Sequence, residues 1–244
     1  DVDEIMKITK DTRVLVLTGA GISAESGLKT FRDAGGLWEN HRVEDVATPE
    51  AFRKAPAMVW KFYKERWQQA LQTKPNPGHL ALAKLEDWLQ DNFYLITQNV
   101  DGLHTAAGNK RVIEMHGSLN TCLCTRCSHH FPIKDINLEE DIPLCPKCKG
   151  MLRPDIVWFG EIPYHLDKID ALLHNCDVFM MIGTSGVVYP AAGFVMTASY
   201  FGAHTIAVNL NPMENGDFID EFHQGKAGEI LPQLIDGWIN SAEK

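Results

Sequence analysis

The amino-acid sequence predicts an α/β fold, a doubly wound parallel sheet interrupted by a small inserted module. Three observations carry this expectation. Short apolar, β-branched runs, of the kind buried on both faces of a sheet, alternate with longer helical patterns. The first of these runs ends in a glycine-rich turn. One stretch, Cys122 to Leu152, breaks the rhythm with cysteines, polar residues, Pro143, Pro146 and Gly150. A chain of 244 residues that is 45% hydrophobic and 23% charged has enough apolar material to bury such a core.

Taken in order, Arg13 to Thr18 (RVLVLT) reads as the first buried strand, running into Gly19, Ala20 and Gly21 with a helix from near Ser23. Further strands are expected at Phe93 to Thr97, Asp177 to Ile182 and Thr205 to Asn209. Helical patterns fall at Ala57 to Leu71, Gly78 to Gln90, Tyr164 to Leu173, Pro190 to Phe201 and Ala227 to Asn240, several opened by Pro or Gly. Residues 1–30, 90–116 and 153–244 are assigned to a Rossmann-like domain, 31–89 to a cofactor loop plus the helical part of a small domain, and 117–152 to the inserted metal-binding module.

Composition narrows the function classes. A net charge of -9 and a pI near 5.5 provide no broad basic field for phosphate backbones, so nucleic acid is not expected as a ligand. No apolar run approaches the ~20 residues needed to span a bilayer, and Asp1 to Lys10 lacks the pattern of a signal peptide. A soluble, cytoplasmic monomer is the expectation.

Gly19-Ala20-Gly21-Ile22-Ser23-Ala24 fits G-x-G-x-x-A directly after a strand, where missing side chains let backbone N–H groups approach a pyrophosphate. The competing reading is a tight turn whose small residues serve packing alone. No second strand ends in an acidic residue at the usual distance; the chain instead runs through Glu25, Ser26, Gly27, Phe31, Arg32 and Asp33 to Gly35 and Gly36. That departure points to a dinucleotide held in a non-standard way beneath a long polar loop.

Of six cysteines, four form the pattern Cys124-x2-Cys127, seventeen intervening residues, Cys145-x2-Cys148. This is the spacing of a four-thiolate zinc site, closed to water and therefore structural. The alternative, two redox-active pairs, is disfavoured because neither pair follows a strand to open a helix. Cys176 reads as a core residue; Cys122 is close enough to compete for metal, but its spacing to Cys124 is poorer and it is left out.

Six blocks, Gly19 to Ser23, Gln98-Asn99-Val100-Asp101, His116-Gly117, the four cysteines, Val157 to Glu161, and Gly183-Thr184-Ser185, together resemble the sirtuin family, in its order and approximate spacing. The resemblance implies NAD as co-substrate, one structural zinc ion, and acyl-lysine proteins or peptides as substrates in a cleft between a large and a small domain. It further implies that Gly19, Ala20, Gly21, Glu25, Phe31, Arg32 and Trp38 surround NAD. Gln98, Asn99 and Asp101 would line the nicotinamide and ribose pocket, with Asn99 and Asp101 also catalytic. Gly183, Thr184, Ser185, Asn209, Asn211 and Ala227 would hold the adenosine half. His116 would be the catalytic base, taking a proton from a ribose hydroxyl, a role imidazole suits near neutral pH. Val157, Phe159, Gly160 and Glu161 would offer an edge to an extended peptide; core packing accounts for Val157 and Phe159 equally well. Two other functions share these residues: ADP-ribosyl transfer, and non-catalytic binding of NAD or peptide.

Tyr63 and Arg66, at i and i+3 of an expected helix, share one face. A guanidinium grips a carboxylate with two parallel hydrogen bonds, and a tyrosine hydroxyl adds a third donor. With Ala47 sixteen residues before Tyr63, the pair resembles the sirtuin subgroup that removes succinyl and malonyl groups. The resemblance thus implies desuccinylase and demalonylase activity, with deacetylation alongside. The competing reading is a surface helix on which Arg66 pairs with Glu65 or Glu86.

Overall fold

The computed structural model describes residues 6–29, 37–214 and 216–244. Its strands are β1 (Val14–Thr18), β2 (Leu37–Trp38), β3 (His41–Arg42), β4 (Phe93–Thr97), β5 (Val112–Glu114), β6 (Gly117–Cys124), β7 (His130–Pro132), β8 (Leu152–Ile156), β9 (Val178–Ile182), β10 (His204–Asn209) and β11 (Glu221–Gln224). Its helices are α1 (Ala20–Ala24), α2 (Val43–Val46), α3 (Pro49–Lys54), α4 (Pro56–Gln72), α5 (Pro77–Leu89), α6 (Leu103–Ala107), α7 (Leu166–Asn175), α8 (Phe194–Tyr200) and α9 (Ala227–Ala242).

Six strands form a parallel sheet in the order β11-β10-β9-β1-β4-β5. All five residues of β1 are buried, which explains the run of apolar side chains: Val14 and Val16 enter one layer, Leu15 and Leu17 the other. In β9 the same alternation puts Val178, Met180 and Ile182 with the first layer and Phe179 and Met181 with the second. Leu82 and Leu85 of α5 and Leu231 and Ile235 of α9 cover the first face; Ile169 and Leu173 of α7 and Val195 and Ala198 of α8 cover the second. Each such fully buried aliphatic side chain contributes ~1.5–3 kcal/mol, so the sheet carries its own stability.

From β1 the chain builds outward through β4 and β5, then returns to the other side of β1 for β9, β10 and β11. Neighbouring β1 and β9 are therefore the topological switch point, and ligands of open α/β sheets bind beyond the carboxyl ends of such strands.

Three further strands form an antiparallel sheet in the order β7-β6-β8. Its core is shared with the segment 43–72: Trp60, Phe62, Tyr63 and Phe52 pack with Leu119, Leu152, Ile156, Trp158 and the cysteines. Core membership thus places α5 with the large sheet, although residues 31–89 are grouped together by sequence. It also places β8 in the small sheet, although 153 is the sequence boundary. We accordingly propose the division near residue 76 and after residue 156.

The helix expected from near Ser23 begins at Ala20 and spans five residues, and β5 and β11, both sheet edges, have no counterpart among the expected strands. Residues 190–201, expected as one helix, contain a short 3-10 turn before α8. No described helix is long and apolar enough to cross a membrane.

Candidate functional site

The glycine turn sits at the switch point. Gly19 N donates to Ile182 O at 3.0 Å and Gly21 N to Gly183 O at 2.8 Å, so the turns after β1 and β9 touch through backbone. A Cβ on Gly21 would lie 2.7 Å from Gly183 Cα, and one on Gly183 would lie 2.6 Å from Ile22 N. Only glycine permits this approach, which serves packing and keeps the turn bare of side chains.

The block after β4 reaches across to the same place. Asn99 is buried; its Nδ2 donates to Gly19 O at 2.9 Å and more weakly to Ser23 Oγ at 3.4 Å. Ser23 Oγ donates to Asp101 Oδ2 at 2.6 Å, and Asp101 Oδ1 accepts from Leu103 N at 2.9 Å, capping α6. Burial raises the Asp101 carboxyl against the lowering effect of these two hydrogen bonds. Gln98 Nε2 makes a long contact to Thr184 Oγ1 at 3.4 Å. Gln98, Asn99, Asp101, Gly183 and Thr184 are thus joined to the glycine turn in one network. Ser23, named only as part of a motif, is a central member of it, and its signal was its position within G-x-G-x-x-A.

Beneath this network lies a second one that sequence reasoning missed. Thr18 Oγ1 is 2.8 Å from both Thr97 Oγ1 and His104 Nε2, and His104 stacks edge-on against His79 with ring centroids 5.0 Å apart. Burial lowers His79 to about 4 and His104 to about 3, so both are neutral at pH 7. His79 Nδ1 accepts from Asn76 N at 3.1 Å, and Asn76 Nδ2 donates to Ile22 O at 2.7 Å, tying the start of α5 to α1. A histidine three residues after the Pro75-Asn76 pair was the available sign, read only as part of a helix.

His116 leaves the end of β5. Its Nδ1 lies 3.2 Å from Gln98 O, and a carbonyl only accepts, so Nδ1 carries the proton and Nε2 keeps a lone pair. Burial lowers its pKa, partly offset by that hydrogen bond. Gly117 follows with φ +84, and a Cβ there would meet Asp155 O at 2.0 Å, which explains the glycine after the histidine.

The four thiols come together. Cys124, Cys127, Cys145 and Cys148 have all their sulfurs within 4.8 Å of one another, with Cys124 to Cys148 at 3.5 Å and Cys127 to Cys145 at 3.7 Å. Sulfurs around a tetrahedral zinc at ~2.3 Å have edges of about 3.8 Å, so this set fits the ion, and the thiols are free of disulfides. Arg126 N and Gly150 N donate to Cys124 and Cys148 sulfurs at 3.3 and 3.4 Å, as thiolates holding a metal require. Cys122 lies outside the cluster, with its thiol directed to Phe131 O.

These features decide the comparison with known proteins: the Sir2 family model matches residues 19–190. The chain belongs to the Sir2 family. An NAD-dependent protein deacylase of Salmonella typhimurium is 50% identical over 240 residues, covering 96% of this chain and 87% of that protein. A protein of the same description from Escherichia coli K12 is 52% identical over 229 residues, covering 92% and 81%. Among solved structures, a Sir2 homolog–NAD complex matches with TM-score 0.86 and 39% identity over 96% of this chain and 92% of that one. A Sir2–p53 peptide–NAD+ structure matches with TM-score 0.80 and 33% identity over 92% of each chain.

The remaining expected residues of this Sir2-family chain are placed differently from one another. Phe31 and Arg32 lie outside the described residues. Trp38 packs edge-on against Phe62 and Tyr63 at 5.0 and 5.9 Å, within the small region's aromatic core. Glu25 and Ala227 meet each other: Glu25 Oε2 and Oε1 accept from Ala227 N and Gly228 N, both at 2.9 Å, so Glu25 caps α9 across the fold. Asn209 Nδ2 donates to Asn211 O at 3.0 Å.

Along 157–161 four of the five N–H groups are spent inside the chain. Val157 N donates to His116 O, Phe159 N to Ala47 O, Glu161 N to Trp158 O, and Trp158 N to Glu161 Oε1. A peptide added alongside would therefore be held by other groups, such as this segment's carbonyls. Glu161 also accepts from Arg153 Nη1 and Nη2 at 2.9 and 2.7 Å. Phe159 is exposed and Gly160 has φ +88.

Tyr63 and Arg66 lie on one face of α4 but differ in freedom. The Tyr63 hydroxyl donates to Val46 O at 2.9 Å and accepts from Trp158 Nε1 at 2.9 Å, fully occupied and buried. Arg66 is nearly buried, its side chain 14% exposed, with ion pairs of 3.9 Å to Glu39 and 3.7 Å to Glu65. Glu86 is elsewhere, accepting from Lys110 N and Arg111 N.

Proposed function

We propose that the acyl groups this enzyme removes from lysine are preferentially acidic, succinyl and malonyl, with acetyl also accepted. It is a Sir2-type NAD-dependent protein deacylase, and its substrates are acyl-lysine side chains of proteins or peptides. The observation that carries the preference is Arg66: a guanidinium almost removed from water, against the Phe62 ring of the aromatic core, without a hydrogen-bonded carboxylate of its own. Taking such a cation out of water is costly unless a partner arrives, and a carboxylate at the end of an acyl chain is that partner. The Tyr63 hydroxyl, being doubly bonded, supports the pocket as a strut, and it becomes a donor to the ligand only by leaving Val46 O.

The mechanism follows from the residues that surround the switch point. NAD supplies an electrophilic ribose carbon with nicotinamide as leaving group. Gly19, Ala20 and Gly21 leave room for its phosphates, with Gly183, Thr184, Ser185, Asn209 and Asn211 on the adenosine side. Asn99, held against Gly19 O and Ser23, and Asp101, held by Ser23 and Leu103 N, are fixed before ligand binds, which orients the nicotinamide end. His116 Nε2, with its lone pair secured by the Nδ1 contact, accepts the ribose hydroxyl proton. Bound by the four thiols, zinc would hold β6 and the Cys145–Cys148 loop together, and with four protein ligands it would take no part in the chemistry.

One peptide in acetyl-, malonyl- and succinyl-lysine forms, incubated with NAD and followed by mass spectrometry, tests this reading. The expected result is faster turnover of both acidic forms than of acetyl. Nicotinamide release that ignores the acyl group would instead identify an ADP-ribosyl transferase.

A further inference from the structure

The polar surroundings of Arg66 are unusual for a buried cation. Its Nε is buried and has no hydrogen-bond partner among the described residues, and its two terminal nitrogens have only ion-pair contacts of 3.9 and 3.7 Å, beyond hydrogen-bond reach. The Phe62 ring lies 5.0 Å from the guanidinium carbon, a cation–π contact on one face. Of the two carboxylates, Glu65 is half exposed and sits on the solvent side of α4. Glu39 is only 18% exposed and faces the guanidinium from a different element.

Glu39 is delivered there by a tight hairpin. β2 and β3 pair Leu37 with Arg42 and Trp38 with His41, leaving Glu39 and Asn40 as a two-residue loop. Both have positive φ, 48 and 66, the conformation such loops adopt. Asn suits it; glutamate is a poor choice for a left-handed position. The hairpin is anchored on α4 by Trp38 against Phe62 and Tyr63 and by His41 against Phe62 at 5.2 Å. The backbone is therefore held by ring packing, while the glutamate side chain is held to Arg66 only by the 3.9 Å ion pair.

We propose that Glu39 is the resident occupant of the acyl-carboxylate site, neutralising Arg66 until an acidic acyl chain displaces it, and that it thereby limits how tightly acidic substrates are held. This rests on the reading that Arg66 receives the acyl carboxylate. Displacement is favoured because an acyl carboxylate entering the site completes paired hydrogen bonds that Glu39, at 3.9 Å, does not make. The glutamate keeps the buried cation compensated between turnovers, at the expense of competing for it. An acetyl group, without a carboxylate, gains nothing from the exchange.

The test uses the full chain with its zinc, NAD, and one peptide carrying either succinyl-lysine or acetyl-lysine. Glu39→Gln, Arg66→Met and the double variant are compared with the parent, with circular dichroism to check folding. In Glu39→Gln the succinyl KM is expected to fall and the succinyl-to-acetyl ratio of kcat/KM to rise by about two- to five-fold, the size of a partly exposed ion pair. In the Arg66→Met background the Glu39 change is expected to leave that ratio where Arg66→Met alone puts it. A succinyl KM that rises or stays level in Glu39→Gln, while Arg66→Met still removes the preference, would overturn the role of Glu39 and leave Arg66 standing. If Arg66→Met does not lower the ratio, the pocket reading itself falls, and the proposal with it.

Discussion

The large and small regions of the molecule solve the problem of stability in opposite ways. The large sheet alternates side chains into two apolar layers, each closed by helices, and needs nothing from outside. The small sheet has three strands, one of them of three residues, and its core combines aromatic rings from 43–72 with the cysteine cluster. What the difference teaches concerns function as much as folding. The residues proposed to meet NAD hang from the ends of the large sheet, where a fixed geometry is useful. The residues proposed to meet the acyl group sit in the part built on ring packing and a four-cysteine cluster that fits zinc, where small changes alter pocket shape.

The largest effect expected is from removing zinc. Structural zinc sites in small domains contribute on the order of 10 kcal/mol, so a strong chelator or Cys145→Ser should unfold the small region. The near-ultraviolet signal of Trp60 and Trp158 should collapse while far-ultraviolet signal from the large sheet persists, and activity should vanish. Loss of both signals together would show that the regions are one cooperative unit.

Next comes His116→Ala, expected to lower kcat by about 10²–10⁴ with little change in thermal stability, since general-base roles are of that size. Parent-level product formation would remove His116 from the chemistry. Because burial lowers its pKa, the neutral base persists to below the ordinary histidine value of 6.5, and the acid limb of kcat/KM should lie below that pH.

Gly21→Ala tests the large sheet's turn. A methyl 2.7 Å from Gly183 Cα forces backbone to move, which should cost about 1–3 kcal/mol and raise the KM for NAD. A well-folded variant with parent NAD kinetics would show the contact to be unimportant.

A further effect is pH dependence of stability. His79 and His104 have folded pKa values near 4 and 3, below the unfolded 6.5, so the unfolded chain binds protons first. Stability is then full above 6.5 and falls as pH drops toward 4, by at most roughly 1.4 kcal/mol per pH unit for each histidine. Urea midpoints at pH 7 and pH 5 measure this, and a slope that is unchanged in His79→Gln would contradict it.

The sheet was legible because β1, β4, β9 and β10 are buried on both faces and so carry continuous apolar runs. The edge strands β5 and β11 were not, since half-exposed edges lack that signature. Glycines and cysteines announced themselves because their roles depend on residue type and spacing. The pairings of Glu25 with α9, of His79 with His104, and of Glu39 with Arg66 join residues from 25 to about 200 positions apart or across a turn; side-chain identity alone does not encode such meetings. Glu161 shows the reverse: its place in a family block suggested substrate, and its carboxylate is engaged by Arg153.

The division of labour between the regions is tested most directly by Arg66→Met, measuring kcat/KM for succinyl- and acetyl-lysine forms of one peptide together with the KM for NAD. Losing a charge-assisted pair of hydrogen bonds should lower the succinyl-to-acetyl ratio by about 10–100-fold, with the NAD constant moving little. A ratio that stays at the parent value, or an NAD constant that moves as much as the succinyl one, would contradict the separation of acyl selectivity from the NAD site.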